Sequence, residues 1–455
     1  MKAAARLTLL SLAVAVVAAA LGAASASAAV PLRQLSSDPF TNSTSQHRTE
    51  VEPDTFSFGS TIVSAFQVGR FFDGGSNDIG FATSNDNGAT WQSGLLPGIT
   101  SFAGGGRFSR ASDPSVAFDA RHSVWLISSL VLSGNSGVGI VTSRSLDGGH
   151  TWSAPSTVSL SGSVDKNWIV CDNNASSPFF GHCYTEWDQP SSGDLVLMST
   201  SSDGGRTWGP ALGSGDSTHG LGGQPVVQPN GTVIVPYATP SFDSIRAFRS
   251  VTGGASWRVS APVSSLADHP VAGGLRSEPL PSAAVDAAGK VYVVWQDCRF
   301  RANCASNDLV LSTTTQATYP TWSAVTRIPI DSATSGVDHF IPGLAANPAT
   351  SGTTAHLGLA YYYYPNAACT STTCQLDVGY VTSANAGSTW SPPTQLAGPM
   401  TLSWLANTNQ GRMVGDYISS SYVGSGVLPV FASASAPLGG LFNESMFAPA
   451  TPLPG

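Results

Sequence analysis

Ser84-Asn85-Asp86-Asn87-Gly88-Ala89-Thr90-Trp91, Ser145-Leu146-Asp147-Gly148-Gly149-His150-Thr151-Trp152 and Ser201-Ser202-Asp203-Gly204-Gly205-Arg206-Thr207-Trp208 are three copies of one pattern, Ser-x-Asp-x-Gly-x-Thr-Trp. Three eroded copies follow: Ser250 to Trp257 with Thr252 in place of Asp, Thr315 to Trp322 with little but the Thr-Trp end, and Ser383 to Trp390 with Asn385 in place of Asp. The six tryptophans lie 61, 56, 49, 65 and 68 residues apart, a spacing that suits one four-stranded unit with its loops. Each residue of the pattern has a local task. The short Ser and Asp side chains accept backbone N–H bonds inside a turn, Gly takes a position with φ > 0, and Trp is a large apolar wedge between neighbouring sheets. The aspartates are therefore read as structural, their oxygens being used up within the turn.

Working outward from the turns, alternation and turn residues assign the strands. In the second repeat Pro114 to Phe118, Ser123 to Leu130 and Val138 to Arg144 read as three strands, with a fourth after Trp152. The fifth repeat copies the plan with Ser282 to Val285, Val291 to Gln296, Leu309 to Thr313 and Trp322 to Ile328. Beyond the last copy come only three such segments, Met413 to Tyr422, Val427 to Ala434 and Leu441 to Ala448. A strand from near Val30 to Leu35 is expected to complete this set, so that the two chain ends close a ring without a raw edge. Outside residues 1–28 no segment holds a 3.6-residue apolar period; Gly (48) and Pro (30) are abundant, and only 11% of residues are charged. The expected fold is an all-β propeller of four-stranded blades over residues 29–455, seven by this count, or six if an eroded copy is not a blade.

Residues 1–28 have a charged start (Lys2, Arg6), an apolar run from Leu7 to Leu21 and the small-residue exit Ala24-Ser25-Ala26-Ser27-Ala28, the pattern of a secretory signal peptide. The expected product is a secreted, extracellular monomer, soluble once the leader is cleaved. A net charge of −8, three lysines and singly scattered arginines exclude the basic stripe that nucleic acid requires. Six cysteines fall in near-neighbour pairs, Cys171 with Cys183, Cys298 with Cys304, and Cys369 with Cys374; three local disulfides are expected, although spacing alone leaves fifteen connectivities open.

Strands that alternate in direction put all the Ser-x-Asp turns on one rim, leaving the opposite rim for function. The scarce charges gather on that second rim: Arg70 and Asp73, Arg110 and Asp113, Asp165 and Lys166, Asp188, Arg276 and Glu278, Arg299, Asp338 and His339, Arg412 and Asp416. Taken singly, each reads more readily as a solvated loop residue or an ion pair between blades than as part of a site. Asp73, Asn77 and Asp78 lie in a Gly-rich loop that is either a plain turn or a structural Ca²⁺ site; no other cofactor or metal is expected. Tyr361 to Tyr364 offer a stacking platform or core rings, and alternation sends two of the four inward. No Gly-x-Ser-x-Gly elbow is present.

The repeated boxes, together with His47-Arg48 and Gly69-Arg70-Phe71-Phe72-Asp73-Gly74-Gly75 just before the first box, resemble the first blade of sialidases and their BNR (Asp-box) relatives. The resemblance implies a glycoside hydrolase that removes terminal sialic acid from an extracellular glycan or glycoprotein. Arginines clamp the sugar carboxylate, a tyrosine with a neighbouring glutamate is the nucleophile, and an aspartate protonates the leaving oxygen. Carried over by position, Arg48 is the first clamp residue and Asp73 the acid, with Arg70 beside it. Ser277-Glu278 followed by Arg299 supplies the glutamate and second arginine, and Asp416-Tyr417-Ile418-Ser419-Ser420 supplies the nucleophile Tyr417, with Arg412 as third clamp. Arg48-Thr49-Glu50 where the family has Arg-Ile-Pro, Gln224 where a glutamate is expected, and Asp338-His339 at the usual third-arginine place motivate an alternative, a non-catalytic propeller that binds extracellular glycan or protein.

Overall fold

The computed structural model describes residues 29–315 and 318–455; the leader read at 1–28 lies outside them. The described chain is all-β, a series of antiparallel meanders of four strands consistent with a sialidase-like propeller. Meander I comprises Glu50–Phe58, Thr61–Arg70, Ser76–Ser84 and Gln92–Leu95; meander II comprises Arg110–Asp119, Val124–Ser133, Ser136–Ser145 and Ser156–Ser159. The single pair Ser76–Ala111 joins these two into one sheet. Four separate sheets follow. They are III (Asp165–Cys171, Cys183–Gln189, Leu195–Ser201, Leu212–Gly213), IV (Val226–Val227, Val233–Ala238, Ser244–Ser250, Ala261–Ser265), V (Ser282–Val285, Val291–Asp297, Asp308–Thr314, Thr326–Arg327) and VI (Asp338–Ala346, Leu357–Tyr364, Gln375–Ser383, Thr394–Thr401). In meander VII, Ser419–Val423, Gly426–Ala434 and Glu444–Pro449 take the N-terminal Leu32–Gln34 as outermost strand, in the register Leu32 to Pro449. Leu453–Pro454 adds a short pairing to the second strand of VII.

The Ser-x-Asp turns explain why the erosion is tolerated. Ser145 Oγ accepts the Gly149 N–H (2.9 Å), and Asp147 accepts both the Thr151 N–H (2.9 Å) and its hydroxyl (2.6 Å). Asn385 accepts the Thr389 N–H (2.8 Å) and donates to its hydroxyl (2.8 Å), and Thr252 Oγ1 accepts the Ser256 N–H (3.0 Å), so the substitutes fill the same place. The tryptophans wedge between successive meanders: Trp152 lies 5.8 Å from Phe81 of meander I, and Trp257 lies 6.2 Å from Tyr184 of meander III. A buried indole removes roughly 150–250 Å² from water, on the order of 4–6 kcal/mol, against about 1 kcal/mol for a turn hydrogen bond. At Trp152 and Trp257, the two box tryptophans that are buried, the wedge rather than the turn dominates the stability of the repeat. Tyr361, Tyr362 and Tyr364 are likewise buried core rings. The three disulfides are Cys171–Cys183, Cys298–Cys304 and Cys369–Cys374. Among the described residues no helix is long and apolar enough to cross a membrane.

The first strands of the meanders touch in the order I–II–III–IV–V–VI–VII, and that of VII touches that of I. Side chains tie most of these contacts. Asp54 accepts the Val116 N–H (2.7 Å), Ser115 Oγ the Ile169 N–H (3.1 Å), Ser282 Oγ the Leu344 N–H (3.0 Å), and Ser420 donates to the Gly343 carbonyl (2.9 Å). Ser419 donates to the Thr55 carbonyl (3.2 Å), linking VII back to I. The expected strand Met413 to Tyr422 is broken: Gly411–Met413 pairs with Ala406–Thr408 in a separate hairpin, and strand structure resumes only at Ser419. The hairpin finds partners outside its own meander, Arg276 N–H donating to the Arg412 carbonyl at 2.7 Å and Asn409 N–H to the Phe72 carbonyl at 2.9 Å.

A candidate central site

Four of the first strands carry a bulge near their start, with register shifts between Val51 and Asp54, Ser112 and Ser115, Asp165 and Trp168, and Phe340 and Gly343. At each bulge one non-glycine residue is left-handed: Glu52 (φ 63°), Asp113 (φ 46°), Lys166 (φ 48°) and Ile341 (φ 49°). Three of these precede proline, where the extended region is normally enforced. Such conformations cost of order 1–3 kcal/mol each and cluster where a side chain must be aimed.

What they aim is charge. Asp416 Oδ2 accepts from both Lys166 Nζ and Arg276 Nη2, while its Oδ1 has no hydrogen-bond partner. The Asp416 N–H donates to Glu52 Oε1 (3.2 Å), and Gln67 donates to Glu52 Oε2. Gln67 in turn accepts from Arg70 Nη1 (2.9 Å). Asp113 Oδ2 accepts the Lys166 N–H (3.2 Å). The Tyr417 hydroxyl donates to the Pro114 carbonyl (3.0 Å), and its ring meets Trp168 edge to face at 4.9 Å. Beside the cluster opens a narrow pocket, lined from meanders III to VII by Lys166, Trp168, Gln224, Ser282, Asp416 and Tyr417 among others.

Burial and neighbours split the acidities. Burial, then the Asp113 charge, pushes the Glu52 carboxyl up to about 8, and the same two causes push Asp165 up to about 6. For Asp113, burial is outweighed by Lys166, by the Glu52 hydrogen bond and by Arg276, so its carboxyl stays below the ordinary value. Burial and the Glu52 and Asp113 charges push the Tyr417 phenol well up. Burial and the adjacent Arg276 lower Arg70 to about 10. Glu186 and Asp188 sit on the next strand with no oxygen partnered, and burial pushes both well up.

Of the residues expected from sequence, Arg70 and Tyr417 belong to this cluster. Arg48 is exposed; its backbone N–H donates to Asp38 (2.7 Å) and its carbonyl accepts from Glu444 (3.0 Å). Asp73, its side chain 45% exposed, pairs with Arg110 at 2.6 Å, and that hydrogen bond holds its carboxyl below the usual carboxylate range, favouring the ionised form. Arg299 is engaged by Asp297 and by Ser264 (3.1 Å). Arg412 donates to the Leu405 carbonyl (2.9 Å), and half-buried Glu278 pairs with no cation among the described residues. Asn77 is buried against Asn42 and Ser45, and Asp78 is buried with Oδ1 on the Ile79 N–H (2.9 Å), so both are engaged away from Asp73. The sequence reading put Asp113, Lys166, Arg276 and Asp416 on the functional rim without assigning them to the site, and passed over Glu52. The signal the sequence holds is an X-Pro pair ahead of four of the boxes, Glu52-Pro53, Asp113-Pro114, Gln224-Pro225 and Ile341-Pro342.

No family model matches this chain, and no curated protein matches it. Among solved structures, the chain is similar to a polysaccharide lyase described as PL25 ulvan lyase, bound to -[GlcA(1-4)Rha3S]-, at 10% identity and a TM-score of 0.54, covering 91% of this chain and 95% of that one. The Hadza microbial sialidase Hz136 matches at 15% identity and a TM-score of 0.46, covering 90% of this chain and 66% of that one. The NanB sialidase from Streptococcus pneumoniae matches at 13% identity and a TM-score of 0.46, covering 91% and 70%. The chain thus spans about two thirds of the length of those sialidases. The likeness to the lyase, over nearly all of both chains, shows a shared fold.

Proposed function

We propose that this chain is a secreted glycosidase built on a seven-bladed propeller closed by its terminal strands, and that its central pocket removes a terminal acidic sugar in a sialidase-type reaction. The observation that carries the reading is the split within one buried group: a carboxyl held protonated (Glu52), a neighbouring one held ionised (Asp113), a phenol (Tyr417) and three cations (Arg70, Lys166, Arg276). Paired groups pushed apart in acidity are the requirement for acid–base work near neutral pH. In this reading Tyr417 attacks the anomeric carbon, its proton passing to Asp113. Glu52 protonates the departing oxygen, in place of the Asp73 and Glu278 roles expected from position. The cations meet the sugar carboxylate, which a phenol approaches with less repulsion than a carboxylate nucleophile would.

The test is turnover of a fluorogenic α-sialoside by the purified mature chain from about pH 4 to about pH 8. Tyr417→Phe and Glu52→Gln are each expected to lower kcat by about 10²–10⁴-fold, with Asp73→Ala within a few fold of wild type. Absence of turnover by wild type across that range sinks the hydrolytic assignment. The glycan-directed neighbours motivate the next substrates, uronate-containing polysaccharides, where an unsaturated product reports elimination instead. A second reading, the non-catalytic binder, is favoured by the Tyr417 hydroxyl being held on a carbonyl and by two cations being neutralised on Asp416. Glycan retention that survives Glu52→Gln, without product, supports it.

A further inference from the structure

Lys166 and Arg276 converge on one carboxylate oxygen, and both are positioned by their own backbones. Lys166 is fixed by the left-handed bulge of meander III, and Arg276 by the hydrogen bond of its N–H to the Arg412 carbonyl at 2.7 Å. Asp416, by contrast, belongs to the stretch 414–418, which lies between the hairpin strand Gly411–Met413 and Ser419–Val423 and is in neither. Two cations facing one carboxylate ordinarily use both of its oxygens. Here Oδ2 takes both bonds, and Oδ1 is buried without a partner in a residue that lines the pocket. Arg276 Nε and Arg70 Nε, beside it, are also buried and unpartnered. Donor capacity on the cation side is thus in excess of what Asp416 uses.

Resting on the reading of the central pocket as a sugar site, we infer that Asp416 is a built-in stand-in for a ligand carboxylate: it occupies the anion seat formed by Lys166 and Arg276, competes with an incoming acidic sugar, and thereby sets the preference of the pocket for acidic over neutral sugars. When the ligand carboxylate takes the seat, the Asp416 side chain turns away while Tyr417 stays on Pro114 and Trp168, and the cations exchange one anion for another without being left unpaired. Their pairing is why the empty pocket tolerates them, since an unpaired buried charge is strongly destabilising.

Two measurements on the full mature chain test this. In thermal melting with acetate, Asp416→Ala, which opens a carboxylate-sized gap, is expected to be stabilised in a dose-dependent way, while wild type and the double variant Lys166→Met/Asp416→Ala are not. Recovery of folded Asp416→Ala only in acetate counts as the same result. By calorimetry, Asp416→Asn is expected to bind N-acetylneuraminic acid about tenfold more tightly than wild type, with affinity for neutral N-acetylglucosamine unchanged. An acetate response that is equal in the three proteins, or equal affinity of Asp416→Asn and wild type for the acid, overturns the inference. The acetate result is independent of turnover, so failure of the wild type to cleave any sialoside leaves it standing or falling on its own.

Discussion

Glu52 and Asp416 are both fully enclosed carboxyl groups, yet their surroundings differ in kind. Asp416 bonds two cations directly, whereas Glu52 bonds an amide and a backbone N–H and feels Asp113, Lys166 and Arg276 only through their charge. Desolvation therefore dominates at Glu52 and holds its proton up to about 8. The sign for stability follows. A carboxyl whose folded value lies above its unfolded one, about 4.3, stabilises the fold fully below that unfolded value and loses the contribution as pH rises through about 8. Glu52→Gln, which mimics the protonated form and cannot ionise, is expected to match wild type near pH 5 and to be more stable than wild type near pH 9. Urea denaturation at the two values checks it, and equal differences at both would show that Glu52 does not titrate in this window. Beyond the X-Pro pairs, a linear reading could not assemble that site: Glu52, Asp113 and Lys166 come from three meanders and Asp416 from the stretch before the last, and only long-range contact gathers them. Arg48 and Arg299 read well by local context, but local context fixes neither where a guanidinium ends nor which carboxylate claims it first.

At the scale of the element, the box turns were legible because nearly all their hydrogen bonds lie within eight residues, so type and spacing are sufficient. The buried member is the serine. Ser145 is 1% exposed, and its hydroxyl receives the Gly149 N–H and donates to Asp147 (2.8 Å). Ser145→Ala leaves that N–H enclosed without an acceptor and is expected to cost about 1–3 kcal/mol in chemical denaturation. Asn385→Asp restores the parent pattern and is expected to change stability by less than about 0.5 kcal/mol. Equal costs for the two would show that the turn bonds are not what distinguishes them. Bulges were not legible in the same way. The strand reading starts at Pro114 in the second repeat and assigns nothing at Glu52-Pro53; the structure runs both strands through the prolines and absorbs each in a bulge of its pairing with the second strand. The stretch 414–418 was read as strand for the converse reason, its apolar and aromatic residues serving packing and the pocket rather than a ladder.

At the scale of the whole molecule, a chain poor in charge that concentrates its carboxyls between meanders must respond to pH as a unit. Burial pushes Glu50 up to about 7, and Asp54, Asp268, Asp338 and Asp377 up to about 6, in addition to Glu52 and Asp165. Each holds its proton more tightly folded than unfolded, so each contribution is complete below about pH 4 and is lost as pH rises through 6 to 8. The turn aspartates act in the opposite direction. Hydrogen bonds from Thr90 and Thr151 hold Asp86 and Asp147 down at about 2, a contribution present above about pH 4 and lost as pH falls through 2. His339, buried and lowered to about 4, destabilises progressively as pH falls from about 6.5, since the unfolded chain takes up the proton first. One histidine does not reverse the balance set by these carboxyls above about pH 4. The melting temperature is therefore expected to be higher near about pH 4 than near about pH 8, with a loss on the order of several kcal/mol in unfolding free energy. Scanning calorimetry or urea midpoints at those two values, in one buffer and at one ionic strength, decide it. A profile that is flat or rises toward pH 8 would mean that the carboxyls between the meanders keep cation or water partners that relieve their burial, and the acid assigned to Glu52 would lose its physical basis with them.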